Sequence, residues 1–84
     1  MNYRTIIVDS NRRQSEALAL ALRNSKDFEV LSSYTSPESA LGQSSVYNPT
    51  LFLVDADNPD FMEMLPAFVD LFPQTDVLAM TTGW

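Results

Sequence analysis

The sequence contains no cysteine, so it can hold neither a disulfide framework nor a thiolate metal site. It contains no histidine, which removes the commonest general base and the commonest transition-metal ligand. No apolar run approaches the ~20 residues of a membrane span, and no signal peptide is visible at the start, so the expected location is the cytoplasm, away from membranes. Repeats, low-complexity tracts and interdomain linkers are missing too. Basic residues are scarce and unevenly placed. Arg4, Arg12, Arg13, Arg23 and Lys26 all fall in the first 26 positions, where the net charge is +3; from Asp27 onward nine acids and no base give −9, for −6 overall. A nucleic-acid surface needs clustered Lys and Arg to replace phosphate counterions. Most of this chain repels phosphate, which argues against direct DNA binding.

What is present suits one small globular domain, residues 1–84. The 84 residues are 45% hydrophobic and 19% charged, and a chain of this length buries about 60–65% of its unfolded surface, so its core is modest. "YRTIIVDS" (3–10) reads as a strand ending in Asp9, and "SNRRQSEALALALRNS" (10–25) as a helix. Ser10 or Asn11 can cap that helix, Asn11 and Gln14 fit a capping box, and Ala17, Leu18, Ala21 and Leu22 form its apolar stripe. "FEVLSSY" (28–34) is a second strand. "SPESAL" (36–41) opens a second helix, with Ser36 as cap and Pro37 at the first position. Residues 42–48 read as a loop or a fraying helix end. "TLFLVD" (50–55) is a third strand, "MLPAFVDLF" (64–72) a helix that tolerates Pro66 only in its first turn, and "DVLAMT" (76–81) a fourth strand. Alternating strands and helices imply right-handed crossovers and a doubly wound parallel sheet. The unbroken apolar runs "TIIV", "LFLV" and "VLAM" agree, because parallel strands are buried on both faces.

"LFLVDADNP" (51–59) runs from a buried strand into two carboxylates and a proline. Ligands of open parallel sheets bind beyond the carboxyl ends of the strands, where strand order reverses. If the first and third strands are neighbours, ~4.8 Å apart, Asp9 and Asp55 crowd one edge and Asp57 adds a third negative charge. Such a cluster raises its own pKa values unless a cation neutralises it. Magnesium accepts one or two carboxylates, keeps several waters and shares its remaining positions with a phosphate. Pro59 and the restricted Asn58 before it fix the turn. Plainer readings stand beside this one: Asp55 and Asp57 as turn residues, Asp9 as a helix cap, and Phe61, Met62, Met64, Phe68 and Phe72 as core packing.

The chain resembles the receiver domain of two-component response regulators, in the class joined to LuxR-type DNA-binding domains. The resemblance is carried by "IIVDSNRRQSEALALAL", "DFEVLSSYTSPESAL", "NPTLFLVDADNP" and "FPQTDVLAMTT", in order, from residue 3 to about 82. It implies a flavodoxin-like sheet of order 2-1-3-4. It also implies that Asp55 is the phosphoacceptor, charged by a sensor histidine kinase, with Mg2+ bridging Asp9, Asp55 and the backbone carbonyl of Asp57. Thr81 would be the hydroxyl that follows the phosphoryl group and passes the change to an output domain for transcription, so the domain is a signalling module and not an enzyme.

The family usually has two adjacent acids after the first strand; here the second position is Ser10. Its loop after the proline usually carries Asp-Gly, where this chain reads Phe61-Met62-Glu63. It also has a last α-β-α segment and a lysine there, and the sequence stops after the fourth strand with no base beyond Lys26. The expectation is a truncated receiver whose fourth strand is an open edge and whose first-helix face is partly uncovered, favouring a homodimer. Two other functions remain. One is a pseudo-receiver that associates without phosphorylation, in keeping with Ser10 and the missing lysine. The other rests on the likeness of "LFLVDADN" to the DxDx motif of haloacid-dehalogenase-type phosphohydrolases, with Asp55 as nucleophile and Asp57 as acid/base.

Overall fold

The computed structural model describes residues 2–81. Thr82, the end of the last matched segment, lies outside them. Four strands, β1 (Tyr3–Val8), β2 (Phe28–Tyr34), β3 (Leu51–Asp55) and β4 (Asp76–Met80), form one sheet. Every pairing is parallel and the order is β2-β1-β3-β4. This is an α/β fold of flavodoxin-like strand order. The central strands β1 and β3 are buried on both sides, as their unbroken apolar runs require.

The helices are α1 (Arg12–Arg23), α2 (Pro37–Gln43), α3 (Pro59–Glu63) and α4 (Leu65–Leu71), and a 3₁₀ turn, Ser44–Tyr47, follows α2. Their starts follow from local chemistry. The Asn11 side chain accepts the Gln14 N–H at 3.1 Å, and the Ser36 hydroxyl accepts the Ser39 N–H at 3.2 Å with Pro37 behind it. Pro66 sits in the first turn of α4, where its missing N–H costs nothing. The 3₁₀ turn ends at Asn48, whose φ of 49° is left-handed, a region asparagine tolerates better than most residues.

One helix was not read from the sequence. Residues 58–63 looked like a turn, yet α3 forms there. The Asn58 side chain accepts the Asp60 N–H at 3.0 Å, Pro59 opens the helix and Asp60 lies in its first turn. The apolar stripe of α1 also differs from the expected one. Ser15, Leu18, Ala19 and Leu22 face the sheet, while Ala17 and Ala21 are exposed. The run "VLAM" of β4 belongs to an edge strand and not to one buried on both faces, with Leu78 57% exposed.

The two faces of the sheet carry separate cores. On one, Ile6, Val8, Phe52 and Val54 pack with Ala40, Phe61 and Phe68 from α2, α3 and α4. Phe52 meets Phe68 and Phe72 edge to face, with ring centroids 4.9 and 5.0 Å apart. Of the aromatic and methionine group read as core, Phe61 and Phe68 are buried, Met64 and Phe72 partly so, and Met62 faces out. On the other face, Ile7, Leu51 and Leu53 pack under α1. No helix among the described residues is long and apolar enough to cross a membrane.

Candidate functional site

The β1–β3 register aligns Val8 with Val54, so Asp9, just past β1, and Asp55, the last residue of β3, stand at the same level of the sheet. This pair of strands is the point where strand order reverses, and its carboxyl end is the general position for a ligand. β4 continues the edge: Asp55 is aligned with Met80, and the Ala56 N–H donates to the Met80 carbonyl at 2.6 Å. Asp9, Asp55 and Thr81, together with Gln14, Leu18 and Met80, line a cavity of about 220 Å³. All the site residues picked from the sequence come to this edge, with Asp57 joined through Thr81.

The backbone of Asp9 is pinned from both directions. Its N–H donates to the Tyr34 carbonyl at 3.0 Å, and its Oδ1 accepts the Asn11 N–H at 2.8 Å. The first contact depends on a bulge in β2: Thr5 is aligned with Val30 but Ile6 with Ser32, so Leu31 is the extra residue and Tyr34 is drawn level with Val8. Capping of α1 falls to Asn11, which leaves Asp9 as the residue that orients the cap and faces the cavity.

Asp9 is 2% exposed. Burial pushes its carboxyl above the ordinary range; the charges of Asp55 and Asp57 and a hydrogen bond with the Asp55 side chain push the same way, and the Asn11 N–H opposes them. No basic side chain lines the cavity among the described residues. Asp55 is half-buried, and its Oδ1 accepts the Asp57 N–H at 2.9 Å, which holds the first turn after β3. The Thr81 hydroxyl donates to Asp57 Oδ1 at 2.9 Å. Ser10, next to Asp9, is exposed.

Among the described residues no group of three acidic side chains is arranged to hold a metal ion. The carboxylates that line the cavity are those of Asp9 and Asp55. That donor set suits Mg2+, which takes one or two carboxylates and keeps its waters, better than Ca2+ with its six to eight oxygen ligands. Gln14, Leu18 and Met80 were not picked from the sequence as part of the site. Gln14 read as a capping residue and the other two as core; the turn of α1 over the edge brings Gln14 and Leu18 to the cavity, and the β3–β4 register brings Met80. No family model matches the chain, and no curated protein shows significant similarity to it.

Proposed function

We propose that this chain is a phosphoacceptor signalling module that accepts a phosphoryl group on Asp55. The observation that supports it is the pairing of Asp9 with Asp55 at the β1–β3 carboxyl edge, in a cavity that also holds the Thr81 hydroxyl. A carboxylate oxygen of Asp55 attacks phosphorus in line. The bond from phosphorus to the donor's leaving group breaks, its electron pair stays with that group, and an acyl phosphate forms on Asp55. The donor is a phosphohistidine of a sensor kinase in the cytoplasm, and the readout is an output domain acting in transcription. Bound Mg2+ would neutralise charge between the carboxylates and the incoming phosphoryl oxygens. Asp9 supplies its own charge toward that ion and is held there by Asn11. Asp57 keeps Asp55 in place through its N–H, and its carboxylate holds Thr81 until the phosphoryl group competes for the hydroxyl.

Incubation with acetyl phosphate tests the reading. Intact mass should rise by one phosphoryl group per chain, only with Mg2+ present, and Asp55→Asn should abolish the gain. Sustained turnover of p-nitrophenyl phosphate would instead indicate a phosphohydrolase. A second reading has its own support: the Thr81 hydroxyl is already engaged by Asp57. On that reading the chain is a pseudo-receiver that works by association alone, and neither assay gives a signal.

A further inference from the structure

Helix α1 is amphipathic, but its outward side is not purely polar. Ser15, Leu18, Ala19 and Leu22 are spent on the sheet, yet Ala17, Leu20 and Ala21 make a second apolar stripe that faces outward, with Leu20 64% exposed. The outer stripe is flanked by Arg13 and Arg23, both exposed, and the layer carries four of the five basic residues of the chain, Arg12, Arg13, Arg23 and Lys26, against two acids, Glu16 and Asp27. The opposite layer has the reverse composition. On α3 and α4, Met62, Val69 and Leu71 are 37%, 56% and 63% exposed, among the exposed acids Asp60, Glu63 and Asp70 and no base.

We infer that the chain associates head to tail with a second copy of itself, the outer stripe of α1 in one copy docking on the α3–α4 surface of the next. Charge selects this pairing over its rivals. Stacking α1 on α1 opposes like positive charges, and α4 on α4 opposes like negative ones; only the unlike faces complement each other. The alanines beside Leu20 let a partner helix approach closely, so Leu20 can meet Val69 with Arg13 and Arg23 over Glu63 and Asp70. The two surfaces lie on opposite sides of the sheet, so the contact is heterologous and propagates into a ring or a short filament instead of closing as a dimer. The overall charge of −6 opposes association at very low salt. At about 0.15 M the Debye length of about 8 Å screens that repulsion while contacting pairs survive, and at about 1 M it falls to about 3 Å and they weaken.

Sedimentation velocity on the intact chain, up to about millimolar because small interfaces are weak, tests the inference. The wild type should form species larger than a dimer, and the apparent dissociation constant should rise about tenfold between about 0.15 and 1 M salt. Leu20→Asp and Val69→Asp should each sediment as a monomer with unchanged circular dichroism. Mixed in equal amounts they should give a dimer and nothing larger, because each retains one intact surface. A wild type that stays monomeric throughout, a dimer that survives in Leu20→Asp, or a mixture no larger than its components would each overturn the inference. Asp55→Asn should associate like the wild type, so failure of the phosphoacceptor reading shows separately.

Discussion

The two rims of the sheet use polar groups in opposite ways. At the amino rim Arg4, Thr50 and Thr75 are paired with backbone groups, although the Ser44 hydroxyl in the 3₁₀ turn is buried without a partner among the described residues. The Arg4 Nη2 donates to the Tyr47 carbonyl at 2.6 Å and Nε to the Asn48 carbonyl at 3.3 Å; the Arg4 N–H donates to the Thr50 hydroxyl at 2.9 Å, and the Thr75 hydroxyl to the Pro49 carbonyl at 2.8 Å. One side chain thus ties the start of β1 to the turn that precedes β3, and the left-handed Asn48 presents its carbonyl to it. At the carboxyl rim, Asp9 lies against Asp55, and the charges of Asp55 and Asp57 both act against its ionised form. The amino rim is built for stability. The carboxyl rim gives some stability up through the burial and like-charge neighbours of Asp9.

The largest effect on stability should come from the amino rim. Arg4→Ala leaves the Tyr47 and Asn48 carbonyls short of a donor and should cost about 1–3 kcal/mol in urea unfolding, a fall in Tm of about 4–8 °C per kcal/mol for a domain of this size. The ion pair of Arg4 with Glu29, 3.8 Å apart with both side chains substantially exposed, contributes little, so Glu29→Gln should stay within about 0.5 kcal/mol. Arg4→Lys should not restore the loss, because an ammonium lacks the fork that reaches two carbonyls. If Arg4→Ala is silent, the contrast between the rims fails at its stable end.

The next effect belongs to the other rim and has the opposite sign. If Mg2+ fills the gap between the carboxylates, it should stabilise the folded chain by about 1.4 kcal/mol at ten times its dissociation constant. Asp9→Asn or Asp55→Asn should lose most of that gain. A rise in Tm that persists in both variants would place the ion elsewhere.

The contrast between rims was partly legible in the sequence. Asp9 and Asp55 follow runs that only a buried parallel strand explains, so the acidic edge could be placed once the two strands were taken as neighbours. Arg4 carried no such signal, because its partners are backbone carbonyls that any residue supplies. Helix α3 was missed for a different reason. Asn58, Pro59 and Asp60 are start signals, but five residues are too few to show helical periodicity. In α1 the apolar residues are so continuous that periodicity alone could not choose between Ala17 with Ala21 and Ser15 with Ala19; packing on Leu51 and Leu53 made the choice. The Thr81–Asp57 bond depends on how β3 and β4 line up, which no local pattern reports.

Asp9→Asn also changes the response to pH, by less than Mg2+ does. Asparagine keeps an oxygen for the Asn11 N–H and removes one charge. The folded chain holds the Asp9 proton more tightly than the unfolded chain, where the value is near 3.8. The ionised carboxyl therefore penalises folding at neutral pH, and the penalty disappears once both states are protonated. Asp9→Asn should melt higher than the wild type at pH 7, and the two curves should converge below the unfolded value. Curves that run parallel across that range would mean that the carboxyl rim stores no charge strain.

Thr81 gives the smallest change in stability and the sharpest separation of roles. Its bond to Asp57 is exposed, so Thr81→Val should alter unfolding by no more than about 0.5 kcal/mol. Asp55 does not depend on it for position, since the Asp57 N–H holds Asp55 directly. Acetyl phosphate labelling should therefore persist in Thr81→Val. What should disappear is any difference between the phosphorylated and unphosphorylated chain in hydrogen exchange at β4, because the hydroxyl is the group that would leave Asp57 for the phosphoryl oxygens. Equal loss of labelling in Thr81→Val and Asp55→Asn would place Thr81 in the transfer step itself; labelling with an unchanged exchange difference would free β4 from any part in the response.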